Sequence, residues 1–392
     1  MEALFVSYKH PPSIGGIQIQ NKALVDSIEQ THRVHRVIWD GRSPLPLFLA
    51  TAAARAHRIL RANPRISVVH LCDALMGFFM LPLTALSDVP IVVTVHGLDV
   101  VLPVGLWEHL AVRRLNRYAA VIPVSEGTAR ACRERGIAPA KLRVVNNGVD
   151  VSLGDIAPDP GFRARLGKRL GVDLASKRII AHIGRAVRRK GISWFLDHVL
   201  PRLDPDVVFL MIGPRDRRTE RKAAWLRRLP PSLEQQITQL LALPLDEPEI
   251  RRALERRSLH GRAFELGALP FSDLMQTLRL ADLFVMPNVP VEGDAEGFGL
   301  VALEASMCGL PVAVAGMEGI TDAIIDGENG FHLAPADADT WVARLGELLA
   351  DPVDLARLGQ RGREYTRSNF SWARMADGYR EVFRDVSGGR FA

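Results

Sequence analysis

Asp282-Leu283-Phe284-Val285-Met286-Pro287, followed after a short loop by Glu296-Gly297-Phe298-Gly299-Leu300-Val301-Ala302-Leu303-Glu304, is the stretch that decides the fold. The first piece reads as a buried strand, a short apolar run bounded by an acid and a proline. The second reads as the start of a helix that continues through 305–308. Its two glycines let a ligand come close to the backbone. The N–H groups of Phe298, Gly299 and Leu300 would then form an anion site at the helix start. Glu296 and Glu304 stand eight residues apart, a little over two helical turns, which places them within roughly 80° of each other around the axis, with Glu296 just before or at the helix start. A strand, a glycine-rich turn, a helix start and two spaced acids suggest a ligand with phosphate and several hydroxyls. A helix whose acids merely cap and solubilise it is the other reading, and the pattern alone leaves both open.

On the N-terminal side, short apolar runs alternate with helical patterns, the signature of parallel sheets with crossover helices. Strands are expected over 3–7, 34–38, 68–71, 91–95 and 120–124, and helices over 19–30 and 47–62. Gly15-Gly16 lies between the first strand and the first helix, and no GxGxxG follows, so a dinucleotide fingerprint is absent. His96-Gly97 closes the β-branched run at 91–95, and ligands of open parallel sheets bind at such strand ends. A lone histidine there is more often structural.

A connector rich in proline and glycine spans 151–175, after which the pattern restarts. Strands are expected over 178–183, 207–212, 264–266, 283–286, 311–315 and 330–333. Helices are expected over 192–203, 273–280, 340–349, 353–365 and 372–386. Between the strand at 178–183 and its helix, Arg185 and Lys190 flank a turn that could hold a diphosphate. The segment 214–262 is long for one connection and carries a dense run of arginines from Arg215 to Arg228 around Trp225. A solvated helical excursion and a docking element are both compatible with it.

The chain has 392 residues, of which 47% are hydrophobic, enough for two domains with cores of their own. Cys72, Cys132 and Cys308 show no paired spacing, which fits a reducing cytoplasm without disulfides. No signal sequence is expected, and the most apolar stretch, 71–86, is shorter than a bilayer span and contains Asp73 and Pro82. The excess positive charge lies in residues 1–150, with 17 Lys and Arg against 11 Asp and Glu; the remainder holds 33 of each. Arg55, Arg58 and Arg61 share one helix face, so an anionic partner such as a phosphate-bearing acceptor or a lipid surface is a candidate, beside ordinary solvation. No nucleic-acid partner is expected, because no aromatic–basic interleaving is present.

These motifs together resemble retaining glycosyltransferases of family 4, over nearly the whole chain. The markers are Gly15-Gly16, His96-Gly97, Asn147-Gly148-Val149-Asp150, Gly184-Arg185 with Lys190-Gly191, Leu266-Gly267-Ala268-Leu269, Glu296 with Glu304, Gly309-Leu310-Pro311-Val312 and Asp326-Gly327-Glu328-Asn329-Gly330. The resemblance implies an α/β chain of GT-B fold, two Rossmann-like domains facing a cleft. It implies an acceptor domain at 1–155, a nucleotide-sugar domain at 156–370, and a helix at 371–392 crossing back to the first. It implies transfer of a sugar from a UDP- or GDP-linked donor to a hydroxyl acceptor, a lipid, a lipid-linked glycan or a polysaccharide precursor.

As implied site residues, His96, Arg185, Lys190 and Glu296 are catalytic. Arg185 and Lys190 hold the diphosphate, Glu296 positions the sugar, and His96 lies against it on the acceptor side. Gly15, Gly16, Leu269, Phe298, Gly299, Leu300 and Glu304 bind the donor, with Glu304 on the ribose hydroxyls and Leu269 near the base. No metal or other cofactor is expected, because the cations can stabilise the leaving charge. The DxD-like pairs Asp204/Asp206 and Asp337/Asp339 sit in loops at helix ends. The expected location is cytoplasmic, peripheral to the inner face of the plasma membrane. A sugar-nucleotide epimerase of the same shape, a soluble acceptor and an inactive binding subunit are the alternatives. The chain departs from the family pattern in the long 214–262 segment, in the extended loop 288–295 with Glu292, and in the turn at 317–322.

Overall fold

The computed structural model describes residues 2–11, 15–101, 111–214 and 246–391. The arginine-rich run at 215–228 lies outside them. The chain forms two compact units, one made of residues 1–148, 296–298 and 370–392, the other of 149–295 and 299–369.

In the first unit the order is β1 (Glu2–Ser7), α1 (Gly16–Glu29), β2 (Arg33–Ile38), α2 (Leu45–Ala62), β3 (Ile66–Leu71), α3 (Ala74–Phe79), β4 (Ile91–Val95), α4 (Leu98–Val101), β5 (Ala120–Pro123) and α5 (Glu126–Glu134). The strands form one parallel sheet, β2-β1-β3-β4-β5. Every residue of β1, β3, β4 and β5 is buried, as their near-continuous apolar sequences require in a sheet covered on both faces. Arg113–Arg117 forms a 3-10 segment ahead of β5.

In the second unit the order is α6 (Phe162–Leu170), β6 (Arg178–Ile183), α7 (Ile192–His198), β7 (Val207–Ile212), α8 (Glu247–Leu254), β8 (Ala263–Gly267), α9 (Phe271–Leu280), β9 (Leu283–Met286), α10 (Leu300–Met307), β10 (Val312–Ala315), α11 (Ile320–Ala323), β11 (Phe331–Leu333), α12 (Ala338–Ala350) and α13 (Pro352–Asn369). Its parallel sheet runs β11-β10-β9-β6-β7-β8. The strand order reverses between β6 and β9, the switch point at which open sheets bind ligands. α7 stops five residues short of the expected end because Pro201 cannot continue it; residues Leu200–Arg202 form a 3-10 turn instead.

The last helix, α14 (Trp372–Val386), belongs to the first unit. Ser371 caps it, accepting from Arg374 N at 3.2 Å. Met375, Ala376, Tyr379, Val382 and Phe383 are buried beside Phe5, Leu24 and Ile28. Within this packing the Tyr379 hydroxyl lies 2.9 Å from Thr94 Oγ1 and accepts from Gln20 Nε2 at 3.3 Å, and Thr94 also meets His70 Nε2 at 2.8 Å. His70 is neutral there, since burial pushes its pKa down to about 3. α14 is therefore a core helix, and removing its largest apolar anchor should weaken the unit. Phe383→Ala is expected to lose about 3–5 kcal/mol of stability in urea unfolding, against under about 0.5 kcal/mol for Arg384→Ala on the exposed face.

Candidate active site

The second unit gathers its candidate groups at the carboxyl ends of its strands. After β6 the chain turns through Gly184, Arg185 and the 3-10 segment Arg188–Lys190, and α7 begins behind Gly191. Arg185 is exposed, whereas Lys190 is buried at 6% exposure. A buried ammonium needs anionic or polar company, and the Lys190 stem lies alongside the Gly184 backbone. Gly213, at the end of β7, approaches so near that a Cβ there would stand 1.9 Å from Gly184 O. Around these glycines opens a pocket lined by Gly184, Ala186, Gly213, Glu247, Glu265 and Gly267. Leu269, two residues beyond Gly267, is half-buried.

Glu304 lies on α10, half-buried, and makes no hydrogen bond or ion pair with the described residues. Burial pushes its carboxyl from the ordinary 4.5 up to about 7. A desolvated carboxyl without a protein partner is a candidate for a ligand site.

Contrary to the expected helical spacing, Glu296 and Glu304 do not share a helix. α10 begins only at Leu300, and Gly299 ahead of it adopts a left-handed conformation at φ 92°. Glu296 and Gly297 are thus irregular backbone, because the glycines stop the helix from extending backwards. The helix start is carried by Leu300 and the residues after it. Phe298 is buried and its ring meets Phe370.

In the first unit, Glu296–Phe298 sits on the carboxyl ends of β4 and β5. Ser125 Oγ donates to Gly297 O at 2.7 Å, and Gly297 lies directly against His96, where a Cβ would stand 1.9 Å from His96 O. His96 Nε2 donates to Cys72 O at 2.9 Å, leaving Nδ1 as the ring's acceptor. Burial holds this imidazole below its usual range, so it is neutral near pH 7. The unit thereby brings Glu296 and His96 onto neighbouring backbone. Gly15 and Gly16 open α1, Gly15 as its N-cap.

Two acids at these strand ends escaped the sequence reading. Asp99 accepts from His96 N at 2.8 Å and from Ala74 N at 3.1 Å, tying β3 to β4. Asp73 is fully buried, accepts from Met76 N at 2.9 Å, and has its carboxyl pushed up to about 6 by burial. For Asp73 the signal was an acid two residues past a fully buried strand, in His70-Leu71-Cys72-Asp73. The DxD-like pairs have structural work: Asp206 pairs with Lys177, Asp339 with Arg202, and Asp337 caps α12. Among the described residues no group of three or more His, Cys, Asp or Glu is placed to hold a metal.

Residues 15–153 match the pattern described as Glycosyltransferase Family 4, and residues 172–365 match Glycosyl transferases group 1. The chain belongs to glycosyltransferase family 4. A GDP-mannose-dependent alpha-(1-6)-phosphatidylinositol monomannoside mannosyltransferase of Mycolicibacterium smegmatis is 29% identical over 95% of this chain and 97% of its own. A D-inositol 3-phosphate glycosyltransferase of Salinispora arenicola is 31% identical over 63% of this chain and 50% of its own. Among solved structures, Anabaena HepE in complex with UDP superposes with a TM-score of 0.72 at 19% identity, covering 98% of this chain and all of the other. Sucrose-phosphate synthase of Thermosynechococcus elongatus gives 0.72 at 20% identity, covering 98% of each chain. This glycosyltransferase thus has the GT-B fold of two Rossmann-like domains, and no described helix is long and apolar enough to cross a membrane.

The close approach at Gly191 gives a direct test of the Lys190 turn. Gly191 has φ 64°, and a Cβ there would stand 1.9 Å from Pro287 O, whereas Gly171, with φ 68°, faces open space. Gly171→Ala should cost only the left-handed strain, about 1–2 kcal/mol. Gly191→Ala should cost more by about 1–3 kcal/mol of overpacking and should also weaken nucleotide binding, both readable in one thermal-shift series.

Proposed function

We propose that this enzyme transfers a sugar from a nucleotide-diphosphate sugar, UDP- or GDP-linked, to a hydroxyl of a lipid or lipid-linked acceptor, with retention of configuration and no metal requirement. Glu304 carries the reading: a desolvated carboxyl without a protein partner among the described residues supports a role as acceptor for the ribose hydroxyls. Lys190 and Arg185 supply the positive charge for the diphosphate, with the start of α10 as a further donor set. Glu296 orients the sugar, beside the neutral His96.

In the reaction the acceptor oxygen bonds to the anomeric carbon as that carbon's bond to the β-phosphate oxygen breaks. The hydroxyl proton passes to the departing phosphate, and the nucleoside diphosphate leaves with the electron pair. Attack on the face the phosphate vacates preserves configuration. It leaves Glu296 as a positioning carboxylate, not a nucleophile of the kind retaining hydrolases use. The name of the M. smegmatis relative supports a GDP-linked donor and a phosphoinositide acceptor, and the S. arenicola relative supports a soluble inositol phosphate. The exposed Arg55, Arg58 and Arg61 on α2, beside the exposed Leu47, support an anionic membrane surface over a soluble acceptor.

Screening nucleotide sugars by thermal shift tests the donor, because a ligand of the native state raises the melting temperature. Lys190→Ala and Glu304→Ala should abolish donor turnover, and intact turnover in both would reject the site. Vesicles of phosphatidylinositol should sediment the protein at low salt and release it at high salt; no sedimentation would reject the membrane surface.

Glu304 also gives a pH signature. In the free protein its raised pKa adds stability below the unfolded value of 4.5, lost as pH rises through about 7. A nucleotide whose hydroxyls donate to the ionised carboxylate should therefore bind more tightly as pH rises from about 6 to about 8. Calorimetry should show this slope in the native protein and lose it in Glu304→Gln.

A further inference from the structure

We propose that Arg189 is a positioning residue for sugar transfer, acting through Asp294 to set the backbone that leads into Glu296. The proposal rests on the donor-site reading above. Arg188-Arg189-Lys190 places three cations in succession on one short turn. Arg188 faces solvent and Lys190 is buried, while the Arg189 side chain turns into the loop after β9. Its Nε lies 3.3 Å from Asp294 Oδ1, with both side chains nearly enclosed at 11% and 12% exposure. The same Nε donates to Ala295 O at 3.4 Å, and the Arg189 carbonyl accepts from Val289 N at 3.0 Å.

One residue therefore holds both ends of the loop 289–295. Between them the loop closes on itself: Asp294 N donates to Val291 O at 3.1 Å, and Gly293 takes the left-handed conformation the turn requires at φ 74°. The arrangement answers one of the departures seen in the sequence, since this loop is extended relative to the family pattern.

Enclosed ion pairs add little net stability, because desolvation offsets most of the attraction. They fix geometry instead. Lys190 is the next residue after Arg189, and Glu296 is the next after Ala295. The clasp thus links the immediate neighbours of the leaving-group cation and of the sugar carboxylate. A small shift of either should slow chemistry more than it weakens nucleotide binding, which depends on Glu304 and the strand-end glycines.

Steady-state kinetics on Arg189→Gln, Asp294→Asn, the double variant and Arg189→Lys test this. Each single charge removal should lower kcat about 10- to 100-fold and leave the donor KM within about threefold. The double should be no worse than the poorer single, since both act through one pair, and Arg189→Lys should recover most of kcat. Should Arg189→Gln fail to fold, the isosteric Asp294→Asn carries the test. The proposal is overturned by unchanged kcat in the folded variants, by additive losses in the double, or by losses that only follow the folded fraction. If Lys190→Ala and Glu304→Ala retain turnover, the donor site itself fails; if they lose it while the Arg189 variants do not, only this inference fails.

Discussion

Backbone meeting backbone where no side chain fits is the constraint on which the rest of this structure depends. Gly213 against Gly184, Gly191 against Pro287, and Gly297 against His96 each leave no room for a Cβ. These contacts bring strand ends and loops together, and the backbone locks them there: Gly184 N donates to Ile212 O, Gly213 N to Gly267 O and Gly191 N to Arg188 O. The buried Lys190 follows from the same packing, because its stem runs along Gly184. A methyl group at any of these glycines would push apart the segments on which the candidate site residues stand.

The sheets explain why those segments are stiff enough to matter. The central strands of each unit are buried on both faces, so neither the strand ends nor the residues just past them can shift without disturbing a core. Asp99 illustrates the coupling by bonding amides beyond both β3 and β4. Thr94, at the fourth position of β4, joins the same strand to Tyr379 of the C-terminal helix. The helix thereby supports from below the strand that carries His96 at its end.

Most of the fold was legible because buried parallel strands write themselves as short continuous runs of apolar and β-branched residues, as at 91–95 and 207–212. Proline position should also have shortened the helix at 192, since Pro201 was in plain sight. The helical geometry drawn for Glu296 and Glu304 failed for a definite reason. Glycine permits a helix start without fixing where it falls, and Gly299 took a left-handed conformation that a sequence cannot announce. The bond from Ala74 N to Asp99 and the Arg189–Asp294 pair were illegible, because they join residues far apart in sequence and depend on the third dimension. Glu304 was legible as a residue but not as a state; that its carboxyl is desolvated emerges only from what surrounds it.

The most direct test of the account is amide hydrogen exchange with and without a saturating nucleoside diphosphate. If the strand ends of the second unit hold the donor, the amides of 184–191 and those at the start of α10, from Leu300 to Ala302, should gain protection, while β10 and β11 stay unchanged. Protection confined to the first unit, or absent from both the Lys190 turn and the start of α10, would contradict it.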